Sequence, residues 1–308
     1  MGEHVIETHG LTVYYGTHRG IHGVDLVVEQ GEVFGFLGPN GAGKTTTQRV
    51  LLDVIRPTRG RATVFGMDSR KESKEIRKRI GYLPGELSLF DGMTGKQFLS
   101  TMASLEERPV YDSYRNELCE RLELDPSRKI KEYSRGNKQK IGVVSAFMSR
   151  PDLIILDEPT TGLDPLIQQI VMELVRETKA DGRTVFFSSH ILQEVQAVCD
   201  RVGIIRNGEL IKTERVETLT TQHFKRVRLT MRDEVPADAF EIEGVSVASR
   251  DGRTVVLEIR TQMEPVIRKA LELGLEDLET QPVTLEEVFL AFYGRGQNGG
   301  NHVQPDPA

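Results

Sequence analysis

Short apolar runs alternate with amphipathic stretches along most of the chain, up to about Glu214. Val33-Phe34-Gly35-Phe36-Leu37, Leu153-Ile154-Ile155-Leu156 and Thr184-Val185-Phe186-Phe187 are continuous, β-rich and bounded by turn residues. Such runs predict strands buried on both faces. The segment after Gly43 has helical spacing. Strands alternating with helices predict an α/β fold with a mainly parallel core sheet. Residues 11–15 and 24–28, joined by a polar loop, predict a small antiparallel sheet beside it. From 86 to 133 strand signals give way to helical ones, as in 95–105 and 111–122. This reads as a helical insertion into the core, with internal breaks at Pro109 and Asp125-Pro126.

Beyond Glu214 the pattern changes again. Residues 226–231, 246–250 and 254–259 predict strands, with Asp251-Gly252 as the turn between the last two. Residues 263–273 and 285–293 predict helices. The expected organisation is a first domain over 1–214, a smaller α+β domain over 215–293 and a disordered tail over 294–308.

A length of 308 residues suits two such domains. With 40 Lys and Arg against 46 Asp and Glu, the net charge is −6, which argues against nucleic acid as a partner held by a broad basic face. The two cysteines, Cys119 and Cys199, cannot build a disulfide scaffold or a Cys-rich zinc site, and fit a reduced compartment. No run approaches the roughly 18 apolar residues of a membrane helix. The opening Met1-Gly2-Glu3-His4-Val5-Ile6 lacks the basic-then-apolar pattern of a signal peptide, and Ile6 stands where a myristoylation motif carries Ser or Thr.

Gly38-Pro39-Asn40-Gly41-Ala42-Gly43-Lys44-Thr45 fits G-x-x-x-x-G-K-[ST], and Thr46 follows it. The motif leaves a predicted strand and opens a predicted helix, the context it requires. Its glycines let backbone N–H groups converge on phosphates, and the helix N-terminus adds partial positive charge. Lys44 is placed to reach the β- and γ-phosphates, and Thr45 to offer its hydroxyl to Mg²⁺. Kinases, GTPases and motor ATPases share this loop. Asp157-Glu158 ends a predicted buried strand. Beside a phosphate loop, Asp157 is the candidate metal residue and Glu158 the candidate to polarise an attacking water, which points to hydrolysis.

Between loop and carboxylates lies Tyr133-Ser134-Arg135-Gly136-Asn137-Lys138-Gln139-Lys140, followed by a helical stretch to about Met148. Ser134 can cap that helix, Gly136 allows close backbone approach, and the helix start is a second anion site.

In this order the motifs resemble the ATP-binding cassette (ABC) ATPases. Tyr133 to Lys140 is similar to the family's signature, whose common form is Leu-Ser-Gly-Gly-Gln. Asp157-Glu158-Pro159-Thr160-Thr161-Gly162-Leu163-Asp164 resembles its second nucleotide motif running into the D-loop, and Ser188-Ser189-His190 its switch histidine. Tyr15 sits where the family stacks an aromatic ring on adenine. The resemblance covers about residues 5–215. It implies a P-loop core sheet with an antiparallel subdomain, a helical insertion, and ATP and Mg²⁺ as cofactors. It also implies a head-to-tail dimer of two nucleotide-binding subunits. Each ATP would touch Lys44 and Thr45 of one copy and Ser134 and Gly136 of the other, with Glu158 as general base, His190 on the γ-phosphate and Asp164 at the seam. The chain departs from the pattern at Arg135, at Asn137 and above all at Gly85, where the family carries a metal-sensing Gln.

One cassette without a membrane span is similar to the separate nucleotide-binding subunits of bacterial type-2 exporters, including drug and antibiotic efflux systems. That resemblance implies a separate transmembrane permease, with the chain held peripherally at the cytoplasmic face of the membrane. Leu87, Leu89 and Phe90 of the insertion either receive a permease helix or form the insertion's own core. Two other readings share the loop: a soluble ATP-gated regulator that dimerises without transport, and a phosphate-loop kinase, against which Glu158 and His190 count.

Overall fold

The amino-terminal hairpin is longer than the sequence pattern predicts. Strands β1 (His4–Tyr15) and β2 (His18–Glu29) meet across Gly16-Thr17, so most of the expected polar loop is itself strand. The computed structural model describes residues 4–106, 108–221 and 225–281. The predicted helix 285–293 and the tail 294–308 lie outside them. The chain divides into two compact units, Met1–Glu214 and Arg215–Ala308.

In the first unit, β3 (Val33–Leu37) leads through the phosphate loop into α1 (Lys44–Leu51). Then follow β4 (Arg59–Val64), β5 (Met67–Asp68), α2 (Ser73–Arg77) and β6 (Ile80–Leu83). The insertion supplies α3 (Gly95–Leu105) and α4 (Asp112–Arg121). After it come α5 (Arg135–Phe147), β7 (Leu153–Asp157), α6 (Pro165–Ala180), β8 (Thr184–Ser189), α7 (Leu192–Val198), β9 (Arg201–Arg206) and β10 (Glu209–Arg215).

Two sheets form this unit. One has the order β2-β1-β4-β5, with antiparallel pairing throughout. The other has the order β10-β9-β3-β8-β7-β6, with parallel pairing from β9 through to β6. Every residue of β3, β7 and β8 is buried, the cost of an uninterrupted apolar strand exposed on either face being too high for anything else. Ile6, Leu11, Ile21 and Val24 of the antiparallel sheet pack on Phe34, Phe36, Ile155 and Phe186 of the parallel one. The rings of Phe36 and Phe186 lie 5.4 Å apart.

Register fixes the site. Leu37 pairs with Ser189 and Asp157 with Ser188, so the carboxyl ends of β3, β7 and β8 lie side by side. The phosphate loop, the Asp157-Glu158 pair and His190 leave those three ends, where ligands of open α/β sheets bind. Strand β6 completes the row through a close approach: a Cβ on Gly81 would overlap the carbonyl of Ala146 in α5. That Gly breaks the apolar run of Ile80-Gly81-Tyr82-Leu83 and hides the strand from pattern reading.

Within the insertion, Thr94 caps α3 in a reciprocal box with Gln97, and Tyr133 Oη donates to the Asp125 carbonyl at 2.8 Å. The second unit contains α8 (Val216–Thr221), β11 (Lys225–Met231), β12 (Val245–Asp251), β13 (Thr254–Ile259), α9 (Glu264–Glu272) and β14 (Leu275–Gln281). Its sheet runs β12-β13-β11-β14, all antiparallel, with Val266 and Ala270 of α9 in the core beside Val227, Leu229 and Leu257. Strand β14 escapes the sequence pattern, because Leu275-Glu276-Asp277-Leu278-Glu279 spaces its leucines by three, a helical interval.

Candidate nucleotide site

Helix α1 starts at a bare N-terminus. Its N-cap, Gly43, has φ +110° and offers no side-chain acceptor, so the first N–H groups are left for an anion. A Cβ there would also lie 2.5 Å from Ile21 Cγ2, which makes Gly necessary on two counts. Gly38 is pressed against the Ile205 carbonyl, and the Ala42 carbonyl accepts from Gly208 N–H at 3.0 Å, so the β9–β10 turn braces the loop from behind.

A cavity of about 300 Å³ opens over this loop, lined by residues that include Tyr15, Arg19, Asn40, Lys44, Thr45 and Glu158. The Lys44 side chain is 5% exposed. Its Nζ donates to the carbonyls of Gly38 at 2.8 Å and Pro39 at 3.2 Å, and lies 3.2 Å from Glu158 Oε1. Thr45 Oγ1 donates to Asp157 Oδ2 at 2.7 Å, and Ser188 Oγ to Asp157 Oδ1 at 2.7 Å. The two carboxylates therefore differ in their partners: Asp157 accepts from the hydroxyls of Thr45 and Ser188, whereas Glu158 is the one beside the Lys44 ammonium.

Glu158 has φ +52°, a left-handed conformation that costs a non-Gly residue about 1–3 kcal/mol. Its N–H donates to the Ser188 carbonyl at 3.2 Å. Oε1 stands 3.1 Å from His190 Nδ1. Burial pushes the Glu158 carboxyl up, but the Lys44 charge and hydrogen bonds from Lys44 and His190 outweigh it and hold the group below the usual range. It is thus ionised at neutral pH. Tyr82, by contrast, is pushed up to about 12 by burial and then by the Asp157 charge, and stays a neutral phenol.

Thr45 and Asp157 offer hard oxygen ligands, which suit Mg²⁺ completed by phosphates and water. No group of three or more His, Cys, Asp or Glu that could hold a metal occurs among the described residues. Gly85 lies directly over Asp157, where a Cβ would sit 3.0 Å from Oδ2, and Glu86 is exposed and does not line the cavity. No side chain of this segment takes the place of the Gln that the resemblance leads one to expect.

Tyr15 is 47% exposed, so it is not a packed strand residue. Its hydroxyl is 3.4 Å from Thr46 Oγ1, and its ring lies on Gly20, where a Cβ would be 2.9 Å from Cε2. A base stacked on this ring gains about 1–3 kcal/mol. Tyr15→Ala is expected to weaken ATP binding about tenfold or more, while Tyr15→Phe stays near wild type; titration with a fluorescent ATP analogue checks both.

Ser134, Gly136 and Asp164 are not brought to this cavity. Ser134 is exposed and caps α5, its Oγ accepting from Asn137 N–H at 3.2 Å. Asp164 caps α6, accepting from Ile167 N–H at 3.1 Å. One neighbour of the site, Arg19, carries no motif signal of its own. Arg19 lines the cavity, fixed by Glu209 Oε1 at 2.8 Å and the Asn207 carbonyl at 2.7 Å. Gln139 Nε2 donates to the Pro159 carbonyl at 3.1 Å, tying α5 to the turn after Glu158.

A sequence profile described as "ABC transporter" matches residues 21–161. The bacitracin transport ATP-binding protein BcrA of Bacillus licheniformis is 32% identical over 311 residues, 96% of this chain and 99% of BcrA. The chain belongs to the ABC transporter ATP-binding family. It carries the family's ATPase domain, and as an ABC ATP-binding subunit it is similar to two further relatives. The daunorubicin/doxorubicin resistance ATP-binding protein DrrA of Streptomyces peucetius is 34% identical, covering 94% of this chain and 92% of DrrA. The uncharacterized ABC transporter ATP-binding protein all4389 of Nostoc sp. strain PCC 7120 is 41% identical over 206 residues, 65% of this chain but 61% of that relative's length. A solved ATP-binding subunit of an ABC transporter matches 70% of this chain and 91% of its own with a TM-score of 0.64 and 28% identity. No described helix is long and apolar enough to cross a membrane.

Proposed function

We propose that the chain hydrolyses ATP as a head-to-tail dimer and thereby powers export of a drug-like substrate through a separate membrane permease, to which it is held at the cytoplasmic face. One observation supports the dimer: the cavity is lined by phosphate-loop residues, Lys44 and Thr45 among them, and by Glu158, yet the signature residues Ser134 and Gly136 lie outside it, at the start of α5. A second copy supplies what the first copy's site lacks. The names of BcrA and DrrA support a transport role of the antibiotic-resistance kind.

In this mechanism Lys44 and the α1 N-terminus hold the phosphates, while Thr45 and Asp157 would hold Mg²⁺. The ion supplies charge neutralisation on the phosphate oxygens when bound. Glu158 accepts a proton from water as the water oxygen bonds to the γ-phosphorus and the bond to the bridging oxygen breaks, giving ADP and phosphate. His190, next to Glu158, holds the γ-phosphate and the water in line.

The insertion offers the permease a docking point at Phe90, which is 57% exposed. Leu87 and Leu89 are half-buried, and Leu87 packs over Gly142 of α5, where a Cβ would be 2.8 Å from Leu87 Cδ1.

The composite site has a direct test. Lys44→Ala spoils the loop and Ser134→Arg the signature, so each variant alone should be inactive. Mixed, they form one site with both halves intact, and ATPase activity should return in part. Continued silence of the mixture, with both variants folded, refutes the composite site.

A further inference from the structure

We propose that Glu194 is a positioning residue that locks the turn carrying Glu158 to the turn carrying His190. The inference rests on the hydrolytic roles proposed above for those two residues.

The two turns leave neighbouring strands, β7 and β8, and each carries a hydroxyl close to its chemical residue. Thr160 is two residues after Glu158, and Ser189 is immediately before His190. Both are 2% exposed, so each hydroxyl needs a partner inside the protein. One carboxylate supplies both. Thr160 Oγ1 donates to Glu194 Oε1 at 2.5 Å, and Ser189 Oγ donates to Glu194 Oε2 at 2.6 Å. A carboxylate can only accept, so both hydroxyls donate, and Ser189 Oγ in turn accepts from Ile191 N–H at 2.9 Å. Hydroxyl-to-carboxylate bonds of this length are among the stronger ones.

The arrangement explains how a strained residue is kept in place. Glu158 holds a left-handed φ of +52°, which persists only where its surroundings over-determine it. Ser188 fixes its N–H and Gln139 reaches the Pro159 carbonyl, but neither spans to the His190 turn beyond β8 itself. Glu194 does. It anchors both turns from α7, which packs on β3 and β8. The 3.1 Å separation of Glu158 Oε1 and His190 Nδ1 is then held from two sides. Neither hydroxyl nor carboxylate lines the nucleotide cavity, so Glu194 acts through its neighbours and not on ATP.

The test compares wild type, Glu194→Ala, Glu194→Gln and Glu158→Gln for kcat, KM and ATP affinity. Loss of the clasp lets the two turns drift, and a misplacement of about 1 Å costs on the order of a hundredfold in rate. Glu194→Ala is expected to lose roughly ten- to a hundredfold in kcat with ATP affinity within about twofold of wild type. Glu194→Gln keeps the shape but has one acceptor oxygen, so it retains one of the two contacts and falls between. Thr160→Val should cost little once Glu194→Ala is present, a non-additivity that a general packing role would not produce. Should Glu194→Ala fail to fold, Glu194→Gln decides alone. A folded Glu194 variant with wild-type kcat, or one whose ATP affinity falls as far as its kcat, overturns the clasp. Glu158→Gln separates the two levels: if it stays active, the hydrolytic reading fails, whereas an inactive Glu158→Gln beside a fully active Glu194→Gln defeats only the clasp.

Discussion

Glu158→Gln is expected to lower ATP turnover by about a hundredfold or more while leaving ATP binding intact. The magnitude is that of losing a positioned general base. Gln keeps the side-chain shape and its contact with Lys44 but cannot take a proton from water. Of the two carboxylates at the end of β7, Glu158 is the one proposed to act on water. Asp157 is occupied by Thr45 and Ser188, whereas Glu158 meets Lys44 and His190. Removing its negative charge also removes repulsion of the γ-phosphate, so ATP should bind at least as tightly as in wild type. Steady-state turnover measured alongside nucleotide titration checks both halves of the expectation.

Lys44→Ala is expected to fail earlier, at binding. The ammonium is nearly buried, and two loop carbonyls and Glu158 aim it into the cavity floor. A charge-assisted contact to phosphate is worth about 1.5–3 kcal/mol, so ATP affinity should fall roughly ten- to a hundredfold. Turnover falls further, because the same charge stabilises the transferring phosphoryl group. Glu158 also loses a cation that keeps it ionised, since Lys44 is foremost among the influences that lower it. Isothermal titration with ATP separates the binding loss from the loss in rate.

The parallel core is legible because β3, β7 and β8 are buried on both faces and write that fact as unbroken apolar runs. The strands that escape pattern reading are those whose pattern is broken for a packing reason. Gly81 interrupts β6 to let α5 approach, and β4 begins with three exposed residues, Arg59-Gly60-Arg61. The hairpin β1–β2 reads short because its turn end, around Tyr15 and Arg19, is exposed and polar where it borders the cavity. For the site, the phosphate loop and carboxylate pair are legible because backbone geometry demands Gly at fixed places and metal chemistry demands oxygen ligands. Arg19 and Glu194 are not, because their roles depend on contacts over long sequence separations, such as Arg19 with Glu209 and Glu194 with Thr160. Gly85 is legible as a departure, and the structure supplies a physical correlate: the backbone there presses so closely on Asp157 that a Cβ would crowd its carboxylate.

In the proposed dimer, ATP joins two copies of this chain across the phosphate loop of one and the signature helix of the other. Light scattering of purified Glu158→Gln, with ATP and Mg²⁺ and then with ADP, reads this association as a mass. The mass is expected to double with ATP and to return to that of the monomer with ADP. A variant that binds ATP by titration yet keeps the monomer mass would contradict it.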